Sequence, residues 1–286
     1  MLIPDLLIWQ KINHLKTKSL NAKKIALDHL DFFIPDSSVQ ALLEKAIQDV
    51  DQILESGYIL KNDGGTTASL VNLKGSTLFL KRTNHNAKKF YHKFKYLAFP
   101  SRGYLNWVAS TIFLENGIIT PQILGIGEYR RHGILEKSYL FAENMENVQQ
   151  VDEIFGKKNL SRSECKELLS HLGQFVAHIH QCGIHHGDMK LTNLFFKNEE
   201  LGTWDLDGIK LFDSGVPKKY ALKDLGRVYS SFLMYIDSNP YLDNWVSSVK
   251  EGADIICQAY GVDSDQIMKD LSQYWFRKEK LSNFII

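Results

Sequence analysis

The distribution of secondary-structure signals along the chain is the feature that most constrains its fold. From residue 58 to residue 143, short apolar segments alternate with tight-turn sequences such as Asn62-Asp63-Gly64-Gly65 and Lys74-Gly75-Ser76, a pattern typical of antiparallel strands. Beyond residue 144, apolar residues recur at helical spacing over long stretches, as they do from Leu168 to Ile179. A chain of 286 residues can hold two such regions, each with its own core. We therefore predict an α+β protein with an antiparallel-sheet N-lobe and a mainly helical C-lobe.

The same signals give the boundaries of the parts. Strand signals begin after a helical segment near the start of the chain, and they cease just before residue 144. We expect an N-terminal extension at residues 1–57, an N-lobe at 58–143 and a C-lobe at 144–286.

The N-terminal extension is predicted to contain one helix. Residues 1–36 show no strong periodicity and are expected to be irregular, whereas residues 38–56 carry apolar side chains at helical spacing. Ser37 and Gln40 predict a capping box at the start of this helix, and Gly57 predicts its end. The helix could bind a partner, but packing on its own domain is the more ordinary role of an amphipathic helix.

Composition excludes several classes of protein. With 44% hydrophobic and 12% aromatic residues, the chain can fill a core, which excludes global disorder. A formal net charge of +1 makes a nucleic-acid partner unexpected. Three widely spaced cysteines argue against a disulfide framework. There is no signal-peptide pattern and no apolar run of the roughly 18 residues that a membrane span needs, so we expect a cytoplasmic location.

One stretch carries the clearest chemistry. His186-Gly187-Asp188-Met189-Lys190-Leu191-Thr192-Asn193 places a carboxylate, a lysine and a carboxamide within six residues. Asp205 and Asp207 follow twelve and fourteen residues after that stretch. The apolar run and polar turn between them predict a loop, a β-hairpin and a second loop. Phosphoryl transfer needs a base near the acceptor hydroxyl, a cation near the γ-phosphate and oxygen ligands for magnesium, and this segment offers all three.

The predicted N-lobe contains two weaker signals. Gly64-Gly65 could cover phosphates with backbone N–H groups, although most turns of this composition are only turns. Lys81 ends the predicted strand at residues 77–80. Taken alone it reads as a solvated lysine at a strand end.

A basic and aromatic segment follows at residues 81–95. Its amphipathic, cationic character suits an anionic substrate or a membrane surface, but it would equally suit a solvated helix face. The members are Lys81, Arg82, Lys88, Lys89, Lys93 and Lys95, interleaved with Phe90, Tyr91, Phe94 and Tyr96.

The spacing His-Gly-Asp-x-Lys-x-x-Asn, followed by an aspartate twelve residues later, resembles the catalytic core of the protein-kinase-like superfamily. This resemblance implies a two-lobed protein-kinase-like fold that uses ATP and Mg²⁺. It also implies a role for each candidate residue. Asp188 would be the catalytic base, Lys190 the cation on the migrating phosphoryl group, and Asn193, Asp205 and Asp207 the magnesium ligands. Lys81, Gly64 and Gly65 would contact the ATP phosphates, and Glu143 and Met145 would contact adenine through backbone groups.

A finer resemblance is to the bacterial lipopolysaccharide kinase family, which includes heptose and Kdo kinases. Only 79 residues follow Asp207, which leaves no room for the substrate lobe of a protein kinase. The matching segments, within about residues 58–235, are Lys81-Arg82-Thr83-Asn84, Ser101-Arg102-Gly103, Trp107, Gly117-Ile118-Ile119-Thr120-Pro121, Asp205-Leu206-Asp207 and Lys223-Asp224-Leu225-Gly226-Arg227.

The finer resemblance implies a substrate and a place. The expected reaction is transfer of the ATP γ-phosphate to a hydroxyl of a lipopolysaccharide core sugar, heptose or Kdo. The expected partners are ATP and an anionic glycolipid or other hydroxyl acceptor, with peripheral contact through residues 81–95 at the cytoplasmic face of the inner membrane.

The chain departs from the kinase pattern at one position. Asn106 stands where the helix would supply a glutamate to pair with Lys81, and Glu115 lies more than two turns further along. Two alternatives therefore stay open. One is another small-molecule or protein kinase, and the other is a nucleotide-binding pseudokinase that acts through interaction.

Overall fold

The protein is represented by a computed structural model that describes residues 4–18, 22–85, 96–97, 99–157, 160–238 and 249–265. Two compact units are present. The N-terminal unit comprises Met1–Leu114 and Pro121–Glu146, and the C-terminal unit comprises Glu115–Thr120 and Asn147–Ile286. The first contains an antiparallel sheet and the second is mainly helical, so the predicted fold class is confirmed.

The N-terminal unit is built on a seven-stranded sheet in the order β1-β2-β6-β7-β5-β4-β3, in which every neighbouring pair is antiparallel. Its elements are α1 (Pro4–Lys18), β1 (Lys23–Leu27), β2 (Leu30–Ile34), α2 (Gln40–Gln48), α3 (Val50–Ser56), β3 (Tyr58–Asn62), β4 (Thr66–Leu73), β5 (Ser76–Asn84), α4 (Arg102–Glu115), β6 (Ile123–Arg131) and β7 (Ile134–Glu143).

The expectation that residues 1–36 are irregular was wrong. They form α1 and the β1–β2 hairpin, and β2 pairs with β6 so that the hairpin extends the sheet. Phe32 lies opposite Gly127 in this pairing, and a Cβ on Gly127 would come within 2.4 Å of the Phe32 ring. The hairpin therefore docks through an aromatic ring that occupies the space above a glycine. Strands this short, with three polar residues among ten, carry little periodicity of their own.

The helix predicted at residues 38–56 exists but is broken. A single 3₁₀ turn at Ser37–Val39 leads into α2, and the backbone leaves helical geometry at Asp49 before α3 begins. The predicted capping box is wrong, because the N-cap of α2 is Val39, which provides no side-chain hydrogen bond. Gly57 ends α3 as expected. A Cβ there would lie 2.6 Å from the Leu70 carbonyl oxygen, so glycine lets the chain turn tightly onto β4.

Helices α2 and α3 pack on one face of the sheet and close its core. The buried residues of this cluster are Phe32, Ile34, Leu43, Ala46, Ile47, Val50, Leu54, Val71, Leu78, Leu80, Leu124, Tyr139 and Phe141. Burying a side chain of this size contributes about 1.5–3 kcal/mol each, so the helices are part of the fold of this unit. The prediction that the helical segment packs on its own domain is thus confirmed.

An ionic cluster anchors α3 to the sheet beside this core. The Asp51 carboxylate accepts hydrogen bonds from Arg82 Nη1 at 2.8 Å, Lys137 Nζ at 2.6 Å and the Tyr139 hydroxyl at 2.9 Å. Partial burial alone would raise the pKa of Asp51, but these hydrogen bonds outweigh it and hold the pKa below its ordinary value. Asp51 is therefore ionised at neutral pH and links α3 to β5 and β7.

Over its described residues, the C-terminal unit consists of a three-stranded sheet, a two-stranded sheet and four helices. Its elements are β8 (Gln149–Gln150), α5 (Val151–Lys157), α6 (Arg162–Gln181), β9 (Ile184–His185), β10 (Leu194–Lys197), β11 (Glu200–Thr203), β12 (Lys210–Leu211), α7 (Lys218–Ser238) and α8 (Val249–Tyr260).

Helix α6 forms as the sequence predicts. Ser161 Oγ accepts a hydrogen bond from the Glu164 N–H and Glu164 Oε2 accepts one from the Ser161 N–H, so the two residues form a capping box. The helix packs against α8, where a Cβ on Gly173 would lie 2.4 Å from the Ile256 carbonyl oxygen. Gly183, at φ +73°, turns the chain into β9. Helix α6 thereby leads the chain into residues 186–193, the predicted catalytic loop.

Two further observations concern the whole described chain. None of its helices is both long and apolar enough to cross a membrane within the described ranges. Cys165, Cys182 and Cys257 are free thiols, two of them buried.

We predict that Asp51→Asn lowers the free energy of unfolding by about 1 kcal/mol at neutral pH, because it weakens charge-assisted hydrogen bonds at a partly exposed site. Since the folded-state pKa of Asp51 is depressed, its stabilisation is present above about pH 4 and is lost as the pH falls further. Thermal unfolding of the full chain should therefore show a difference between mutant and wild type that shrinks on acidification.

Glu55→Gln is the matched control. Glu55 contacts the same Arg82 Nη1 at 3.2 Å, but its side chain is 64% exposed, so its replacement should change stability little. Equal effects of the two substitutions would contradict the anchoring role of Asp51.

Candidate active site

The β10–β11 hairpin brings the two predicted loops together. The Trp204 N–H donates to the Asn193 carbonyl at 3.1 Å, so the two ends of the hairpin meet. The backbones also touch at Gly187, whose φ is +82° and where a Cβ would lie 2.3 Å from the Gly208 carbonyl oxygen. Glycine at position 187 is thus a steric requirement of the contact between the loops.

Asp188 lies at the centre of a charged group in the first loop. Its Oδ2 is 2.8 Å from Lys190 Nζ, and its Oδ1 accepts a short hydrogen bond from Arg227 Nη1. Asn193 Nδ2 donates to the Asp188 carbonyl oxygen at 2.8 Å and lies 3.4 Å from Oδ2. The structure therefore brings the predicted base, the predicted cation and the predicted amide ligand together.

Helix α7 holds this loop with one stripe of side chains. Asp224 accepts hydrogen bonds from the N–H groups of His186 and Gly187 at 2.8 and 2.9 Å. Arg227 binds the Asp188 carboxylate, and Ser231 Oγ accepts from the Leu191 N–H at 3.0 Å. Positions 224, 227 and 231 share one face of a helix, so α7 fixes both the backbone and the carboxylate of the loop.

Asp224 is fully buried and remains charged because hydrogen-bond donors surround it. His180 Nε2 lies 3.2 Å from its Oδ2, and His185 Nε2 lies 3.4 Å from its Oδ1. Burial alone would raise the pKa of Asp224, but the hydrogen bond from His180 and the neighbouring imidazoles hold that pKa below its ordinary value. Burial lowers the pKa of His185 to about 4, so this ring is neutral at physiological pH.

His186 braces the loop from inside. It is fully buried, and burial lowers its pKa, so the ring is neutral. Nε2 lies 2.8 Å from Thr203 Oγ1 and 3.2 Å from the Trp204 carbonyl oxygen, while Nδ1 lies 3.4 Å from the Asp188 N–H. This network assigns the proton to Nε2. The ring links the catalytic loop to the end of β11.

The second loop provides oxygen donors. Asp205 has a left-handed backbone, with φ 56° and ψ 63°, a conformation that costs energy for most residues and is concentrated at functional sites. Asp207 follows within a 3₁₀ turn at Leu206–Gly208. Because Asn193 Nδ2 donates a hydrogen bond to Asp188, the Oδ1 atom of the same side chain is the one available to a metal ion.

This donor set fits Mg²⁺. Magnesium binds through one or two carboxylates and completes its shell with water and substrate phosphates. Groups of three or more His, Cys, Asp or Glu in metal-binding arrangement do not occur among the described residues. Two carboxylates and an amide oxygen, all hard oxygen donors, are what the two loops present.

Two backbone N–H groups at the Gly64-Gly65 turn in the N-terminal unit are already hydrogen-bonded. Asp63 Oδ1 accepts hydrogen bonds from the N–H groups of Gly65 and Thr66 at 3.1 and 2.7 Å, and Gly64 has a φ of +75°. Hydrogen bonds from Lys61 and these amides lower the pKa of Asp63. A carboxylate thus accepts from the Gly65 N–H, one of the two donors that were expected to face phosphates.

Lys81 lies inside a strand rather than at its end. Strand β5 continues to Asn84, and Lys81 pairs with Ala68 on β4 and Leu140 on β7. The expectation of a strand ending at Leu80 was wrong because polar residues can continue a strand that is paired on both sides. Asn106 is buried on α4. Residues 86–95, most of the basic segment, lie outside the described residues.

The predicted adenine segment follows β7 directly. Glu143 is the last residue of this strand, and its N–H donates to the Gln122 carbonyl at 2.9 Å. Met145 lies in the irregular stretch after it.

Sequence reasoning missed three residues of this site: Asp224, Arg227 and Ser231. The family resemblance covered residues 223–227 only as a helix. Their spacing of three and then four residues was a usable signal, because it aligns polar groups on one face of the helix. Nothing in the sequence tells which loop such a face meets.

We predict that Asp224→Asn destabilises the protein by about 3 kcal/mol, because the amide cannot accept from both loop N–H groups and leaves buried donors unsatisfied. Thermal unfolding should show the loss, and hydrogen exchange at the amides of residues 186 and 187 should accelerate. Asp213→Asn, at an exposed carboxylate, should change neither. Unchanged protection of the loop amides in Asp224→Asn would contradict the assigned anchor.

Comparison with known proteins gives a consistent result. A model of the lipopolysaccharide kinase (Kdo/WaaP) family matches residues 61–248, which is more than half of the chain. The solved structure described as "WaaP in complex with acyl carrier protein" is similar in fold, with a TM-score of 0.60 and 16% sequence identity, over 86% of this chain and 97% of that one. A search of curated proteins gave no match.

The matched region contains all the predicted site residues, from Gly64 to Asp207. The predicted resemblance to this family and the predicted class of enzyme are confirmed. The chain belongs to the lipopolysaccharide kinase (Kdo/WaaP) family and is a phosphotransferase of the kinase type.

Proposed function

We propose that this protein transfers the γ-phosphate of ATP to a hydroxyl group of a lipopolysaccharide core sugar, heptose or Kdo. The observation that carries the proposal is the cluster of Asp188, Lys190 and Asn193, held by α7 beside the loop with Asp205 and Asp207. Together these residues offer a base, a cation and magnesium ligands. Membership of the lipopolysaccharide kinase family supports the acceptor class.

Each residue of the catalytic loop has a distinct task in this proposal. The Asp188 carboxylate orients the acceptor hydroxyl and receives its proton as the new bond to phosphorus forms. Lys190, two residues away, neutralises charge on the migrating phosphoryl group. Asn193, Asp205 and Asp207 would hold Mg²⁺, which would supply positive charge to the phosphate oxygens and the leaving group.

The remaining nucleotide contacts are assigned to the N-terminal unit. Lys81 binds the α- and β-phosphates, and Gly64 and Gly65 cover them. The Asp63 carboxylate, which holds the amides of Gly65 and Thr66, must release these N–H groups when phosphate arrives. Adenine meets backbone groups of Glu143 and Met145 other than the Glu143 N–H, which is used within the sheet.

We also propose that the protein works at the cytoplasmic face of the bacterial inner membrane. The basic segment at residues 81–95 supports this, because lysines interleaved with aromatic side chains suit an anionic glycolipid surface. The related WaaP structure contains acyl carrier protein, so a direct binding assay with that protein would reveal a shared partner.

One observation favours a second candidate, a nucleotide-binding pseudokinase. Asn106 stands where the kinase pattern has a glutamate and is buried on α4, and an amide carries no charge. A thermal shift with ATP and Mg²⁺ that is the same in wild type and Asp188→Asn, without turnover in either, would favour this candidate.

We predict that Asp188→Asn and Asp205→Asn each reduce phosphate transfer by about 100- to 10,000-fold, because one removes the base and the other a magnesium ligand. Labelled ATP, Mg²⁺ and a panel of acceptors, including core oligosaccharide, sugars and proteins, would measure the loss and identify the acceptor. Asp188→Asn should keep the magnesium-dependent thermal shift with ATP, and Asp205→Asn should lose it.

Glu199→Gln, in the exposed turn of the β10–β11 hairpin, is the control and should be fully active. Near-normal turnover in Asp188→Asn or Asp205→Asn would contradict the proposed mechanism. Labelling of a protein or a simple sugar in preference to core oligosaccharide would show that the proposed acceptor is wrong.

We further predict that reversing the charges of Lys88 and Lys89 to glutamate weakens binding to vesicles containing phosphatidylglycerol by tenfold or more, since each lysine near such a surface contributes about 1 kcal/mol. The effect should fade as salt rises. The control is the same double reversal at Lys218 and Lys219, which are exposed at the start of α7. Equal binding by both variants would contradict a membrane role for this segment and favour a solvated helix face instead.

A further inference from the structure

We propose that Arg227 is a positioning residue that holds the Asp188 carboxylate during transfer and thereby releases Lys190 to the migrating phosphoryl group. This inference rests on the proposed function, because it concerns the same catalytic loop. It assigns to α7 a role in the reaction that goes beyond fixing the loop backbone.

The starting observation is that two cations share one carboxylate. Lys190 Nζ lies 2.8 Å from Asp188 Oδ2, and Arg227 Nη1 donates to Oδ1. In the proposed reaction Lys190 must also reach the phosphoryl group, and a lysine bound to the base cannot serve both partners fully. A second cation on the other carboxylate oxygen removes that conflict, because Asp188 keeps an ionic partner when Lys190 moves.

The two cations differ in how firmly they are held. Lys190 belongs to the loop itself, and its side chain is 48% exposed, whereas that of Arg227 is 23% exposed. Arg227 sits on α7 between Asp224 and Ser231, which both bind the loop backbone. A half-exposed lysine with a flexible stem can move, while a planar guanidinium on a packed helix is pre-organised. Arg227 is therefore the fixed partner and Lys190 the mobile one.

The test compares Arg227→Gln with Arg227→Lys. Arg227→Gln should lower kcat about 10- to 100-fold, the usual cost of losing a group that orients a catalytic residue, with the KM for ATP within about twofold of wild type. Arg227→Lys should recover part of kcat, since it restores a cation. Arg162→Gln, the same substitution at a half-exposed arginine paired with Glu251, should leave kcat unchanged.

A double-mutant cycle with Asp188→Asn separates positioning from other roles. If Arg227 acts through the Asp188 carboxylate, adding Arg227→Gln to Asp188→Asn should cause no further loss of the residual rate. Losses that multiply in the double mutant would overturn the proposal and place Arg227 at the acceptor or in the fold. An equal fall in kcat for Arg227→Gln and Arg227→Lys, together with lowered thermal stability, would overturn it in favour of a purely structural residue.

The rates should be measured on whichever acceptor the wild-type protein phosphorylates, or on ATP hydrolysis by water if there is none. Failure to label core oligosaccharide then counts against the proposed function alone. The outcome of the cycle bears on Arg227 alone.

Discussion

The catalytic loop depends on one buried carboxylate. Asp224 accepts hydrogen bonds from the N–H groups of two successive loop residues, and the hydrogen bond from His180 also offsets its desolvation. A charge buried in this way is stable only while its hydrogen bonds are complete. The loop geometry and the ionisation of Asp224 are therefore coupled, and neither persists without the other. Arg227 and Ser231 extend the same support along α7, so that a single helix defines where the Asp188 carboxylate lies.

Much of the fold follows from local patterns. The β3–β4–β5 and β6–β7 hairpins form at turns that the sequence marks with glycine, and α6 begins at a capping box that both side chains complete. The loop–hairpin–loop around residues 194–203 is confirmed as well. In each case residues close in sequence satisfy one another, and such arrangements are readable from spacing alone.

What the sequence did not disclose is mostly long-range. The docking of β2 on β6 depends on the space that Gly127 leaves for Phe32, residues 95 positions apart with no local signal. Within the site, Asp188, Lys190, Asn193, Asp205 and Asp207 could be proposed from spacing, because catalytic loops keep their residues close in sequence. The residues of α7 that support them could not, because which loop a helix face meets is decided by packing. The engagement of Asp63 with the glycine turn is local, and the Asx-turn preference of aspartate could have predicted it.

The β1–β2 hairpin has a practical consequence for handling the protein. The family match begins at residue 61, within β3, so a shortened protein designed from this match would begin there. Removing the residues before it would delete the β1–β2 hairpin, turn β6 into an open sheet edge and uncover the core that α2 and α3 close. Open edges beside exposed apolar surface promote aggregation. The segment recognisable by homology is therefore smaller than the segment that can fold, and expression of the shorter piece should yield insoluble material.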